Sequence, residues 1–416
     1  MSSSGAALPR SAVSIVVTCA VVIFVEGYDQ SVYGAVLPVL VRDPNWDLTN
    51  AQAGYVGSAA FVGMLFGALT AGWLAARVSR RRVIIGCLVI MGFFGTWCAF
   101  ATTGAELGVL RFLTGLGLGG VLPLTSTLTL AAASPKWRSM VYAVMFAAIP
   151  IGGLTGAVLA IPVVPAWGPS VMFALPLPLV VAAVALSWWI LPDTPFGASA
   201  GRTATGPEPA GEGFGGRFLL PTALFVTATG MALMLWYGLN TWLPGIMREA
   251  GYDLGSALAF QVALNAGAAV GSVVVALMAD RWGARPAVVA IYAGTALVLV
   301  MSMVAPPQAV LYLLITLAGT GAQSGLIVLN TLVNRSYPER LRAQALGLTL
   351  GVGRTGAIVA PSVVGLIVGS SIVGSFTLFA ACALSAGLLA AVAVLVMQRR
   401  HRSTPDPTQG SSSAVR

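Results

Sequence analysis

The chain has 416 residues, 57% of them hydrophobic and only 8% charged, with a mean hydropathy of +0.89 and a formal net charge of +9. Apolar stretches of about 20 residues, the length that crosses a bilayer core, recur along nearly the whole chain and leave little of it for a soluble domain. The positive charge does not point to nucleic acid, because no basic run interleaves with aromatic residues as a binding stripe would.

Taken in order, the stretches predict twelve spans centred near Ala20, Gly63, Met91, Leu118, Ile151, Val181, Ala232, Gly271, Leu297, Gly321, Ile358 and Gly387. The polar start MSSSGAALPRSAVS leads into the first stretch, which runs past Gly34 without a small-residue cleavage site and reads as a retained span. The first span carries Glu26, Tyr28, Asp29 and Tyr33, and the loop after the second carries Arg77 and Arg81. Arg111 lies in the fourth, followed by GLGLGG over Gly115–Gly120, which lacks the flanking strand and Lys-Ser/Thr of a nucleotide loop and reads as close helix packing. Residues 193–217, rich in Gly, Pro, Thr and Glu, read as a flexible linker. Beyond it come Trp236, Tyr237, Asn240 and Trp242 in the seventh span, and Asp280, Arg281 and Arg285 after the eighth. Gln323 and Asn330 belong to the tenth span, Arg340 follows it, and Arg354 lies in the eleventh. The expected organisation is a six-span bundle over 1–192, the linker, a second bundle over 218–398 and a tail over 399–416.

A repeat supports that division. Shifting the chain by 204 pairs Gly63 with Gly267, Gly67 with Gly271, Arg77 with Arg281 and Arg81 with Arg285, and a shift of 203 pairs Pro135 with Pro338 and Gly153 with Gly356. Parallel repeats of six spans place a substrate site near mid-membrane between the halves. With the N-terminus inside, eighteen Lys and Arg residues fall in inner segments and two, Arg42 and Arg248, in outer loops, so both termini are expected to be cytoplasmic.

Glu26, Asp29, Arg111 and Arg354 are the ionisable residues inside the stretches. A charge at a helix centre costs about 2.5–3.5 kcal/mol even on lenient scales, and it persists where it meets a wet cavity or a partner. Glu26 and Asp29, three apart, share a helix face and cannot both ionise easily in a poorly hydrated site, which makes a reversible proton site. The arginines stay charged, and their planar forks suit a carboxylate. Two plainer readings stand beside this one: the acids pair permanently with the arginines to make them tolerable in lipid, or Arg111 anchors at the interface. Gly27 is expected to loosen the first helix between the acids. Tyr28, Tyr33, Trp236, Tyr237, Asn240, Gln323 and Asn330 could supply flat apolar partners and amides to an aryl ring, whereas Trp242 reads as an interfacial belt residue. Cys19, Cys87, Cys98 and Cys382 lack metal-ligand spacing and read as core residues.

VEGYDQSVYGAVLPVL, RFLTGLGLGGVLPLTSTL, WYGLNTWLPGIMREAGYD and SYPERLRAQALGLTLGVGRTGAIVAP together resemble the aromatic acid:proton symporter family of the major facilitator superfamily, over about Val16 to Val368. The resemblance implies an all-α protein of twelve membrane helices, without a cofactor. It implies proton coupling at Asp29 and Glu26, and substrate binding at Arg354 and Arg111 with Tyr28, Tyr33, Trp236, Tyr237, Asn240, Gln323 and Asn330. It further implies gating by Arg77, Arg81, Asp280, Arg281, Arg285 and Arg340. The family's loop acid and its acid at the end of the fourth span are absent here, where Ala76 and Ala131 to Ala133 stand, so a weakened latch in the first half is expected. The protein is thus expected to be a monomeric, multi-pass carrier of the cell membrane that imports a benzoate- or hydroxybenzoate-like acid with protons. A proton-coupled exporter of hydrophobic compounds uses the same fold. An enzyme would need a nucleophile or metal cluster, yet the only histidine is His401 in the tail, and a sensor would need a soluble output domain.

Overall fold

The computed structural model describes residues 10–134, 137–193, 218–304, 306–369 and 371–402. The expected linker beyond Asp193 and the tail beyond Arg402 lie outside the described residues. So do Pro135, with its place in the repeat, and the side chains of Asp280 and Arg340. Among the described residues twelve helices are long and apolar enough to cross a bilayer: Ala12–Leu40, Asn50–Ala75, Arg80–Phe100, Gly104–Ala132, Met140–Trp167, Val171–Ile190, Leu219–Glu249, Leu254–Ser272, Ala284–Ser302, Gln308–Ser336, Gln344–Val368 and Ile372–Gln398, called spans one to twelve below. All twelve centres expected from the sequence fall inside them.

Local chemistry fixes several starts. Thr49 and Gln52 form a reciprocal capping box at span two, Ser79 caps span three through the Arg82 amide, and Thr103 caps span four through the Glu106 amide. Prolines recur within helices, at Pro38, Pro123, Pro150, Pro244 and Pro361 among others, as membrane helices tolerate when neighbours satisfy the freed backbone groups.

The sequence repeat reappears as packing. Gly63 and Gly67 let span two lie against the main chain of span four at Phe112 and Leu116, and their counterparts Gly267 and Gly271 bring span eight onto span ten at Thr316 and Thr320. Gly27 and Gly152 bring spans one and five into main-chain contact, and Gly230 and Gly356 do the same for spans seven and eleven. Gly27 therefore does not loosen span one, whose helix is unbroken from Arg10 to Leu40. A Cβ there would strike the Ile149 carbonyl.

Span one meets span seven, span two meets span eleven and span five meets span eight across the seam between the bundles. At the end remote from the termini this seam is tightly closed. Ser58 and Ser362 share a hydrogen bond of 2.7 Å, the Arg42 guanidinium donates to the Arg248 carbonyl at 3.1 Å and reaches Glu249 at 3.4 Å, and Gly54 packs on the Pro361 main chain. Span eleven divides at Arg354, between helices Glu339–Gly353 and Thr355–Val368. The second piece packs both on span two of the opposite bundle and on span seven of its own, whereas the first packs on spans seven and ten.

Candidate proton and substrate site

The two acids of span one divide their partners. Asp29, 8% exposed, turns into its own bundle, where a single guanidinium nitrogen of Arg111 donates to both carboxylate oxygens at 3.0 and 2.9 Å. That geometry is end-on, and the Arg111 Nε has no hydrogen-bond partner. The Arg111 guanidinium also stands 5.5 Å from the centre of the Tyr33 ring, whose hydroxyl donates to the Ala53 carbonyl at 2.6 Å. Arg111 is only 3% exposed, so it is not an interface anchor but one half of a buried ion pair.

Glu26, 1% exposed, faces the seam. One carboxylate oxygen accepts from the Gln30 amide at 3.1 Å, and the other is buried without a hydrogen-bond partner. The charge of Arg354, which belongs to the opposite bundle, acts on Glu26 and on the Tyr237 hydroxyl. Tyr237 in turn packs against Phe61 of span two with ring centres 4.6 Å apart. Glu26, Gln30, Phe61, Tyr237 and Arg354 thus gather where spans one, two, seven and eleven approach one another.

Arg354 is placed there by glycines. Gly353 lies against Thr229 and Gly356 against the Gly230 carbonyl, so the flanking backbone has no room for a side chain and the half-buried arginine is what projects. Gln323 and Asn330 of span ten each hold a buried carbonyl oxygen without a donor. Tyr28 and Trp236 are buried in one packed hydrophobic cluster, the Tyr28 hydroxyl donating to the Met172 carbonyl at 3.1 Å. Trp242 is no belt residue. It is 1% exposed, and its indole N–H donates to the Pro361 carbonyl at 2.9 Å.

Sequence reading passed over the amides of span eight. Gln261, fully buried, donates to the Ser31 carbonyl of span one at 2.9 Å and to the Asn240 carbonyl of span seven at 3.1 Å. Asn265 accepts from the Asn240 side chain at 3.3 Å. The signal was available: two uncharged amides at i and i+4 in an apolar helix mark one polar face.

Two of the arginines expected to gate, Arg81 and Arg285, fasten helix ends within their own bundles. Arg81, in the first turn of span three and not in the loop before it, pairs with Asp193 at 2.9 Å, donates to the Trp188 carbonyl at 3.3 Å and thereby ties the start of span three to the end of span six. Its repeat partner Arg285 donates to Gln398 at 3.2 Å, at the end of span twelve. Arg77 lies over the Trp73 ring at 3.6 Å, and Arg281 is exposed. The Ser79 hydroxyl, together with Arg81 and Arg82, holds the Asp193 carboxyl below the usual carboxylate range. Among the described residues no group of His, Cys, Asp and Glu could hold a metal ion.

The sequence pattern of the Major Facilitator Superfamily matches residues 19–361 and 262–415. The chain belongs to that superfamily. It is 39% identical to the "Gentisate transporter" of Corynebacterium glutamicum, over 91% of this chain and 86% of the relative. It is 29% identical to the "Benzoate transport protein" of Acinetobacter baylyi, over 94% and 91%, and 31% identical to the "3-(3-hydroxy-phenyl)propionate transporter" of Escherichia coli, over 93% and 94%. In fold it resembles the crystal structure of a D-xylose-proton symporter, with a TM-score of 0.76 at 16% identity over 92% of this chain and 97% of that one. These likenesses make this superfamily member a multi-pass membrane transporter homologous to aromatic acid transporters, and not an enzyme.

Proposed function

We propose that the protein imports an aryl carboxylate together with a proton by alternating access, as a monomer in the cell membrane with both termini cytoplasmic. The observation that carries this reading is Glu26, a fully buried acid with one oxygen unpartnered, held opposite the arginine of the other bundle. The names of the aromatic acid relatives support the substrate class, and the arginine-rich inner segments support the orientation.

Deprotonated Glu26 competes with an anionic substrate for Arg354. A proton arriving from outside neutralises Glu26 and frees Arg354 to grip the incoming carboxylate, while Tyr237 and Phe61 offer flat surfaces to the ring. Asp29 and Arg111 neutralise each other within the first bundle, so the loaded site carries no net charge through closure. Moving an unbalanced charge through the membrane interior would add several kcal/mol to that step. A pH unit directed inward then supplies about 1.36 kcal/mol per proton carried. The seam closed at the end remote from the termini corresponds to a carrier shut to the outside.

The test is uptake of labelled benzoate and hydroxybenzoates into vesicles under an imposed inward proton gradient, comparing the wild type with Glu26→Gln and Arg354→Ala. The wild type should accumulate acid and lose accumulation with a protonophore. Accumulation that survives the protonophore removes proton coupling from the reading, and wild-type uptake by Arg354→Ala removes the anchor.

A further inference from the structure

Where spans one, seven and eight meet, the side-chain amides are oriented by main-chain carbonyls, which accept and cannot donate. The Gln261 nitrogen is fixed by the carbonyls of Ser31 and Asn240, with the Ser31 hydroxyl at 3.1 Å as a further acceptor. The Asn265 nitrogen is fixed at 3.0 Å by the Gln261 carbonyl, which turns the Asn265 oxygen toward the Asn240 nitrogen. Reversing either amide would set oxygen against oxygen, so each orientation follows from chemistry. The chain of bonds ends with the side-chain oxygens of Asn240 and Gln261, both buried and both without a donor. Their residues are 5% and 0% exposed.

The crowding around these amides is built in. A Cβ on Gly153 of span five would strike the Asn265 oxygen, and one on Gly34 of span one would come within 3.1 Å of the Gln261 nitrogen. Glycine at both positions lets the amides reach the seam. Asn240 lies three residues beyond Tyr237 on one continuous helix, about 4.5 Å further along its axis. The amide layer therefore stands roughly one aryl ring away from the Arg354 and Tyr237 end of the site. Buried acceptors without donors are rare in folded proteins and point to a partner that supplies the proton.

The structure assigns to Asn240, Gln261 and Asn265 the recognition of a hydrogen-bond donor on the substrate ring, a phenolic hydroxyl, with the carboxylate held at Arg354. The hydroxyl's one hydrogen is donated to the Asn240 oxygen or, from a neighbouring ring position, to the Gln261 oxygen, and Asn265 positions Asn240. This rests on the reading of the protein as an aryl carboxylate carrier. A site whose acceptors are already desolvated discriminates strongly against a ligand that leaves them unpaired, here by about tenfold or more.

The experiment measures initial uptake, and competition against it, for benzoate, ring-hydroxylated benzoates and the corresponding methoxybenzoates in the wild type, Asn240→Leu and Asn265→Leu. A methyl ether keeps the ring oxygen and removes only the donor. The wild type should favour the hydroxylated acids over both other classes by about tenfold or more. Asn240→Leu should lower the affinity for hydroxylated acids more than that for benzoate, bringing the ratio toward one, and Asn265→Leu should do so less severely. Equal handling of hydroxy and methoxy acids by the wild type overturns the assignment without any variant having to fold. A uniform slowing of all acids with the ratio unchanged makes the trio a seam contact only and also overturns it. If the wild type carries benzoate under a proton gradient yet ignores the hydroxyl, the carrier reading survives and the donor site falls. If it carries no aryl acid at all, both fall together.

Discussion

The two bundles share a packing plan and differ in charge. Gly152 answers to Gly356 at a shift of 204 residues, one against the Phe24 main chain of span one and the other against the Gly230 main chain of span seven, and Gly27 answers to Gly230 at a shift of 203. At the same shift Glu26 faces Thr229, Asp29 faces Ala232, Arg111 faces Leu314, and Arg354 faces Ile151. The first bundle thus holds both acids and their balancing cation, whereas the second holds one arginine and a set of neutral amides. The two halves keep a common frame and differ in charge at a few positions on it.

The sharpest way to break this division is to strip one member from the buried pair. Arg111→Met should leave Asp29 uncompensated and Asp29→Leu should leave Arg111 so, each costing about 3–5 kcal/mol of stability, read as a fall in thermal midpoint of the detergent-solubilised protein. The double variant should recover most of the loss, because it buries neither charge. If the single variants prove as stable as the wild type, the pair is not the structural charge balance of the first bundle.

Next in size is the cation of the second bundle. Arg354→Lys should lose uptake by about a hundredfold, because a point ammonium cannot reproduce a planar two-pronged grip. Near-normal uptake by the lysine variant would reduce Arg354 to a general positive charge. Glu26→Gln should sharpen the comparison differently. It should abolish accumulation driven by a pH gradient while leaving exchange of labelled for unlabelled acid measurable, since a neutral amide mimics the protonated acid but cannot release a proton. Retained gradient-driven accumulation would move proton coupling off Glu26.

Gly356→Ala tests the shared frame. A methyl group driven against the Gly230 carbonyl should cost about 1–3 kcal/mol, and the matching Gly152→Ala, against the Phe24 carbonyl, should cost a similar amount, measured again as thermal midpoints. A clear difference between the two would show that the halves pack by different rules. Smallest of all is the clamp between Arg81 and Asp193. Because Asp193 is held below its ordinary range, its contribution is complete above the unfolded carboxylate value near 3.9 and is lost only as pH falls through the lower folded one. Mild acidification should therefore leave Arg81 fastened, and Asp193→Asn should change transport less than about threefold, as expected for an exposed pair. A transport change centred near pH 6 that disappears in Asp193→Asn would contradict this.

Most of the frame was legible in the sequence because hydropathy and glycine spacing are local properties. Gly63 and Gly267 could be paired by eye, and both prove to be helix contacts. The site was legible in its members and less so in its connections. Glu26 and Asp29 share a face by spacing, yet whether they face each other or separate partners depends on Arg111, 82 residues away, and on Arg354 in the other bundle. Trp242 was misplaced for the same reason: an aromatic near a helix end reads as a belt residue until the Pro361 carbonyl is seen beside it. The missing loop acid at Ala76 suggested a weakened latch, but Asp193, at the far end of span six, supplies a carboxylate to the same arginine cluster. No local pattern connects those positions.

The interruption of span eleven falls on the residue assigned to hold the ligand. The backbone there nevertheless keeps helical angles, φ −60° and ψ −18°, and the Ile358 amide bonds to the Arg354 carbonyl at 3.1 Å, so on the proposed reading the residue that grips the cargo also carries the rod onward. On that reading, descendants of this carrier would be expected to change cargo by altering the amides of the neighbouring helices, leaving the arginine untouched.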